Sequence, residues 1–309
     1  MSLALYIHIP FCKQKCLYCD FPSYQGIEHS IGSYIDCLKK EIEMTSGACK
    51  DYKVTTIYIG GGTPSYIDAR HIEGILEVCR KNFEIDPDAE ISMESNPGTL
   101  TKENLLIYKN AGVNRISIGL QAAQNKILKT LGRIHDFKEF EEGYYLARQA
   151  GFSNINIDLM LGLPGQTFED WQETLEKACS LKPEHISAYS LKLEEGTPFY
   201  NKYYKEDALE LPPEEIERDM YHYAVNFLGE KGFEHYEISN FAKEGLECKH
   251  NLVYWKRGPY IGLGLGAHSF FEGKRFFNTY DMKQYIADIK VGKLPGSEKE
   301  SVSDDEAMS

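Results

Sequence analysis

Three cysteines crowd into eight residues, Cys12-Lys13-Gln14-Lys15-Cys16-Leu17-Tyr18-Cys19, directly after an alternating apolar run. Such spacing suits metal. A structural zinc site takes four protein ligands, and an electron-carrying cubane takes four thiolates. No further Cys or His follows the triad at a helpful distance. Three thiolates on a [4Fe-4S] cluster leave one iron open, which an electron carrier does not need and a protein that ligates a small molecule at iron does. The other five cysteines, Cys37, Cys49, Cys79, Cys179 and Cys248, are scattered. They read as small core hydrophobes rather than as a disulfide framework.

A second group of residues sits where apolar runs end. Gly60-Gly61-Gly62-Thr63-Pro64 lacks the Lys-Ser/Thr of a P-loop and the helix-opening spacing of a dinucleotide fingerprint. Its glycines permit close backbone approach and positive φ, so it could offer backbone groups to an ammonium or a carboxylate. Glu94, Gln121 and Asp158 suit hydroxyl and amino groups, and Arg133 suits a carboxylate. Each alone reads equally well as a tight turn, a helix cap or a solvated surface group. Their shared position at strand ends is what points to one site. Phe11, Tyr18 and Phe21 flank the cysteines and are expected to keep water from them.

The elements that must hold these groups follow from periodicity. Strands are expected at 4–9, 54–60, 90–95, 115–120, 154–162 and 185–191. Helices are expected at 33–44, 69–83, 101–112, 137–151 and 168–181, with Thr101 as an N-cap and Gly112 and Gly151 as C-terminal glycines. Six βα units make an α/β fold with a parallel sheet, either doubly wound or an incomplete (βα)6 barrel. Residues 1–195 form this core. The pattern breaks after it, and 196–309 read as a flanking region with a helix from about 213 to 229 and a polar tail.

The net charge of −13 excludes a nucleic-acid footprint. No apolar run is long enough for a membrane span, and the short N-terminal run, broken by His8, is a poor secretory signal. A cytoplasmic protein is expected.

Taken together, YIHIPFCKQKCLYCDF, YIGGGTP, SMESNPG, RISIGLQ, GRIH and NIDLMLGLPGQT resemble the oxygen-independent coproporphyrinogen III oxidase-like family of radical S-adenosylmethionine (SAM) proteins, over about residues 4–200. The resemblance implies an incomplete (βα)6 TIM-like barrel with a C-terminal addition. It implies a [4Fe-4S] cluster on Cys12, Cys16 and Cys19, whose open iron binds the amino and carboxylate groups of SAM and, on receiving an electron from a donor, cleaves the sulfonium. Carried over position by position, the SAM contacts are Tyr6, Tyr18, Gly61, Gly62, Thr63, Glu94, Gln121, Arg133 and Asp158.

Within that family the decarboxylating oxidases carry a further cysteine two residues after the triad and an extension before the first strand. Here the position is Phe21, and the first strand begins near residue 4. The HemW-type haem chaperones carry Phe there and an H-N-x-x-Y-W motif, here His250-Asn251-Leu252-Val253-Tyr254-Trp255. The resemblance therefore implies haem binding, with His250 as axial ligand and delivery of haem to respiratory haem proteins, with homodimer formation a further expectation. The alternatives are a coproporphyrinogen III oxidoreductase producing protoporphyrinogen IX and, more remotely, an inert iron–sulfur scaffold. The family's C-terminal helical domain is expected after about residue 300, and the chain ends at Ser309.

Overall fold

In the computed structural model of the chain, which describes residues 1–296 and the backbone of 300–301, the six apolar runs are strands. They are β1 (Ser2–Ile9), β2 (Lys53–Gly61), β3 (Glu84–Ser95), β4 (Arg115–Gln121), β5 (Ile155–Leu161) and β6 (His185–Ser190). Neighbours pair in parallel and in chain order. Buried parallel strands are usually apolar on both faces, but these alternate. Ile57 and Ile59, Ile91 and Met93, Ile116 and Ile118, and Ile155 and Ile157 belong to the hydrophobic core. The residues that alternate with them, Tyr58, Glu90, Glu94, Arg115, Ser117, Asn156 and Asp158, share the opposite face. Tyr6 of β1, the register partner of Tyr58 of β2, joins that polar face, the two rings stacked with centroids 6.3 Å apart. This is the interior of an incomplete barrel, polar because it is a site and not a packed core.

Helices cover the outer face: α1 (Ile31–Ser46), α2 (Ala69–Asn82), α3 (Lys102–Asn110), α4 (Asn125–Thr130), α5 (Phe137–Gln149) and α6 (Phe168–Ser180). Thr101 accepts from Asn104 N at 3.2 Å as the N-cap of α3, and Gly112 and Gly151 take positive φ beyond the ends of α3 and α5. The short α4 was not legible in the sequence. Of the five scattered cysteines, Cys37, Cys49, Cys79 and Cys248 are buried, while Cys179 is only half-buried.

The region after residue 195 flanks both edges of the sheet and crosses one end of the barrel. It contains α7 (Pro198–Tyr204), α8 (Glu214–Glu230), β7 (Glu234–Glu237), β8 (Asn240–Ala242), α9 (Lys249–Trp255), β9 (Tyr260–Leu263), β10 (His268–Phe271), β11 (Lys274–Phe277), α10 (Met282–Lys290) and β12 (Glu300–Ser301). Strand β8 pairs antiparallel with β6, and β9 pairs parallel with β1, carrying β10 and β11 with it. Helix α8 docks on the core through Trp171, fully buried, whose Nε1 donates to Met220 O at 2.8 Å. Apart from the backbone of 300–301, the polar tail expected at 297–309 lies outside the described residues.

Candidate functional site

The loop carrying the cysteines leaves β1 at Pro10 and is closed at its base. Tyr24 N donates to Pro10 O at 2.8 Å, and Cys12 N to Tyr24 O at 2.9 Å. Its far side is pinned by two short helices: Leu17 N donates to Leu131 O, just past α4, and Phe199 N of α7 donates to Leu17 O. Within the loop Lys15 Nζ donates to Phe21 O at 2.8 Å and closes the turn after Cys19. The three thiols stand near enough to sense one another electrostatically, and none is in a disulfide. Burial raises the Cys12 thiol above its ordinary range and pushes Cys19 up to about 11. Thiolates in such a place need a cationic partner, which iron supplies. Among the described residues no three acidic, His or Cys side chains converge on a single ion, whereas a cubane would take each thiolate at its own iron.

The glycine loop is stitched to this loop by backbone. Gly62 N donates to Ile9 O and Thr63 N to Phe11 O, each at 2.8 Å, while Thr63 Oγ1 donates to Cys12 Sγ at 3.7 Å. Gly61 N donates to Glu94 Oε2 at 3.1 Å. All three N–H groups are thus engaged inside the protein, so the loop offers an anion no free donor here. The glycines serve close approach. A Cβ on Gly62 would fall 2.8 Å from Phe11 O, and one on Gly61, at φ +112°, would fall 2.4 Å from the His8 ring.

His8 is a positioning residue that the sequence reading passed over. Its Nε2–H donates to Pro22 O at 2.9 Å, and its Nδ1 accepts from Tyr6 OH at 3.0 Å. Burial lowers its pKa to about 4, so it stays neutral and able to hold both bonds. It ties the end of the cysteine loop to the barrel wall. The available signal was its place on the inward face of β1, two residues from Tyr6.

Glu94 and Gln121 lie at the ends of β3 and β4, and Asp158 stands in the middle of β5. Glu94 accepts from Tyr58 OH at 2.9 Å and, through burial and the neighbouring Asp158 charge, is pushed up to about 7. Asp158 accepts from Ser117 Oγ at 2.6 Å and from Asn156 Nδ2 at 2.7 Å. Gln121 has φ +67°, unusual for a residue with a side chain. A register shift between β4 and β5 at Gly119–Gln121 turns it into the barrel mouth. There it meets Arg133 over Gly119, where a Cβ would lie 3.0 Å from Gln121 Nε2 and 3.1 Å from Arg133 Nη2. Arg133 donates to Cys16 Sγ at 3.5 Å, to Gly119 O at 2.9 Å and to Asn96 Oδ1. Asn96, in the quoted SMESNPG run, is the second residue not singled out beforehand.

Two buried polar atoms at this mouth lack partners, Gln121 Oε1 and Arg133 Nε. One accepts and the other donates. Buried polar groups are rarely left unpaired, so a polar ligand at the barrel mouth fits this donor set, as three clustered thiols, Cys12 buried and Cys16 and Cys19 half-buried, fit a cluster. Tyr18 is half-buried in the cysteine loop beside Arg133, and burial raises its pKa. Phe11 is fully buried, whereas Phe21 is 61% exposed and shields nothing. The loop's own bonds turn Phe21 outward.

His250 lies against Thr56 and Tyr58 of β2, apart from the cysteine loop that follows β1. Glu90, inside the barrel, accepts from Lys249 N at 2.9 Å and His250 N at 3.2 Å, fixing α9 across the N-terminal ends of the strands. The His250 ring is buried and stacked on Tyr58 at 5.1 Å. Its Nδ1 is bonded to Thr56 Oγ1 and its Nε2 to Tyr254 OH, each at 2.9 Å. Burial lowers its pKa to about 3. The ring is neutral, but both nitrogens are taken.

Fold and site together define a class. The Radical SAM superfamily matches residues 6–178, and the chain belongs to it. That superfamily uses a [4Fe-4S] cluster and SAM. Within it the chain belongs to the HemW family. It is 39% identical to Heme chaperone HemW of Bacillus subtilis over 304 residues, 98% of this chain and 80% of that one. It is 40% identical to Heme chaperone HemW of Escherichia coli over 269 residues, 86% of this chain and 69% of that one. The structure of coproporphyrinogen III oxidase (HemN) from E. coli, a radical SAM enzyme, superposes with a TM-score of 0.87 at 25% identity, covering 99% of this chain and 73% of that one. Among the described residues no helix is long and apolar enough to cross a membrane.

Proposed function

We propose that this chain is a haem chaperone, which binds haem and passes it to recipient haem proteins. The observation that carries this is similarity to the HemW proteins across nearly the whole chain, joined to Phe21 where an oxidase has a cysteine. Cys12, Cys16 and Cys19 would hold the cluster, and Tyr6, Tyr18, Gly61, Gly62, Thr63, Glu94, Gln121, Arg133 and Asp158 would surround SAM. The cluster supplies an open iron and an electron, which an external donor restores. The chain's own residues fix the loop (His8, Arg133), hold a carboxyl that burial and Asp158 push up to about 7 (Glu94) and present unpaired polar atoms (Gln121, Arg133). We infer a cytoplasmic setting and a homodimer, with respiratory haem proteins as recipients. His250, the ligand expected from the motif, would have to release either Tyr254 or Thr56 from one ring nitrogen before it met iron.

The second reading, an oxidase acting on coproporphyrinogen III, is favoured by the superposition on HemN. One sample separates the two. After anaerobic reconstitution the protein should show a Soret shift on haem titration and should not decarboxylate coproporphyrinogen III given SAM and a reductant. Turnover to protoporphyrinogen IX would overturn the chaperone reading.

A further inference from the structure

We propose that Tyr58 is a positioning residue that links the SAM site to His250, so that bound SAM weakens the hold of the chain on haem. This rests on the haem reading above, with His250 as the ligand, and gives the SAM site a part in releasing the cargo. Tyr58 is half-buried on the lumen face of β2. Its hydroxyl donates to Glu94 Oε1 at 2.9 Å. Its ring stacks on that of His250, with centroids 5.1 Å and planes 29° apart. Glu94 belongs to the proposed SAM contacts and His250 is the ligand the motif offers, so one side chain touches both. Tyr6, another of the proposed SAM contacts, stacks on the same ring at 6.3 Å.

The His250 ring is 1% exposed, with one nitrogen bonded to Thr56 Oγ1 and the other to Tyr254 OH, each at 2.9 Å. To meet iron it must free a nitrogen and move outward, off the face of Tyr58. Whatever steadies Tyr58 therefore favours the buried position. Glu94 can serve Tyr58 and SAM together, because Oε1 takes Tyr58 OH, Oε2 takes Gly61 N at 3.1 Å, and each oxygen keeps a lone pair. SAM is a net cation, and positive charge beside Glu94 holds the carboxyl ionised. A hydroxyl bonds a carboxylate more strongly than it bonds a neutral acid. Bound SAM thus tightens Tyr58 on Glu94, keeps His250 against Tyr58 and biases the ring away from iron. The effect is reciprocal, haem on His250 weakening SAM by the same factor. A carrier built this way holds haem while the SAM site is empty and yields it when that site fills.

The test is haemin titration of the cluster-loaded full chain with and without saturating SAM, read by absorption. No reductant is added, so SAM stays whole. SAM should raise the haem dissociation constant about fivefold or more and diminish the nitrogen-ligated spectrum. Equilibrium dialysis should show haem raising the SAM dissociation constant by the same factor. Tyr58→Phe keeps the ring and loses the hydroxyl, so that factor should fall to within about twofold of one, while haem still binds without SAM. An absent linkage in the parent, or haem binding tightened by SAM, would overturn the proposal, and neither result depends on a variant that folds. An unchanged factor in Tyr58→Phe would overturn the role of Tyr58. A parent chain that takes up no haem even without SAM would overturn the haem reading itself, and is told apart because SAM is absent from that titration.

Discussion

Gly61→Ala tests how the barrel wall holds the cysteine loop. At φ +112° an alanine is in a region nearly restricted to glycine, which costs about 1–3 kcal/mol. Its Cβ would also lie 2.4 Å from His8 Cε1 and 2.5 Å from Nδ1. The ring cannot rotate away freely, because Tyr6 OH and Pro22 O hold both nitrogens. Forcing a methyl group into such packing costs a further ~1–3 kcal/mol. The variant should therefore lose about 2–6 kcal/mol, a large part of a typical folding free energy. Because His8 yields by releasing Pro22, iron uptake on reconstitution should fall as well. The assay is urea unfolding of the cluster-free protein, with iron per chain measured in parallel. A double-mutant cycle isolates the cause. In a His8→Ala background only the backbone part of the cost should remain, giving a coupling on the order of 1–3 kcal/mol. Equal cost in both backgrounds would refute the steric argument, and unchanged stability and iron uptake in Gly61→Ala would refute the whole account.

Glu41, fully enclosed, accepts from Tyr285 OH at 2.5 Å, Gly264 N at 2.8 Å and Asn278 Nδ2 at 2.6 Å, and burial still pushes it up to about 7. A carboxyl raised on folding binds its proton more tightly in the native state, so stability should fall as pH rises from about 4.5 to about 7. Glu41→Gln should flatten that slope, the two stability curves converging or crossing by on the order of 3 kcal/mol over the window; parallel curves would refute the assignment. Arg133→Lys cannot reach Cys16, Gly119 and Asn96 at once, because an ammonium lacks the planar fork. Its SAM dissociation constant, by equilibrium dialysis, should rise at least tenfold with folding unchanged. Trp171→Phe leaves Met220 O without its indole donor and should cost about 1–3 kcal/mol in urea unfolding, with α8 more open to proteolysis.

What the sequence disclosed and what it hid have separate physical causes. The six parallel strands and most of the helices between them were legible because each buries a face, and burial writes a period into the residues. The same alternation also marked the lumen. Tyr58 and Asp158 sit between aliphatic neighbours, and Glu94 follows the buried Met93, because the barrel interior holds a ligand. Short elements such as α4 and α7 carry too few turns to show a period, yet they pin the cysteine loop through Leu131 and Phe199. Positions after 195 pair with β1 and β6, partners far off in the chain, so nothing local announces them.

The two histidines show where motif and geometry part. His250 stands in a recognisable run, and the run names a residue type without saying which way it faces. Glu90, about 160 positions earlier, draws the N-terminus of α9 onto the barrel floor and thereby turns His250 inward to Thr56. His268 carries no motif that was singled out, and it stays in water because Tyr280 and Phe277 hold its ring at the edge of the sheet. The residue four places after His250 in the same run, Tyr254, reaches the cleft that His268 lines. The motif therefore reaches the cleft through its tyrosine, which the buried imidazole of His250 holds by one hydrogen bond.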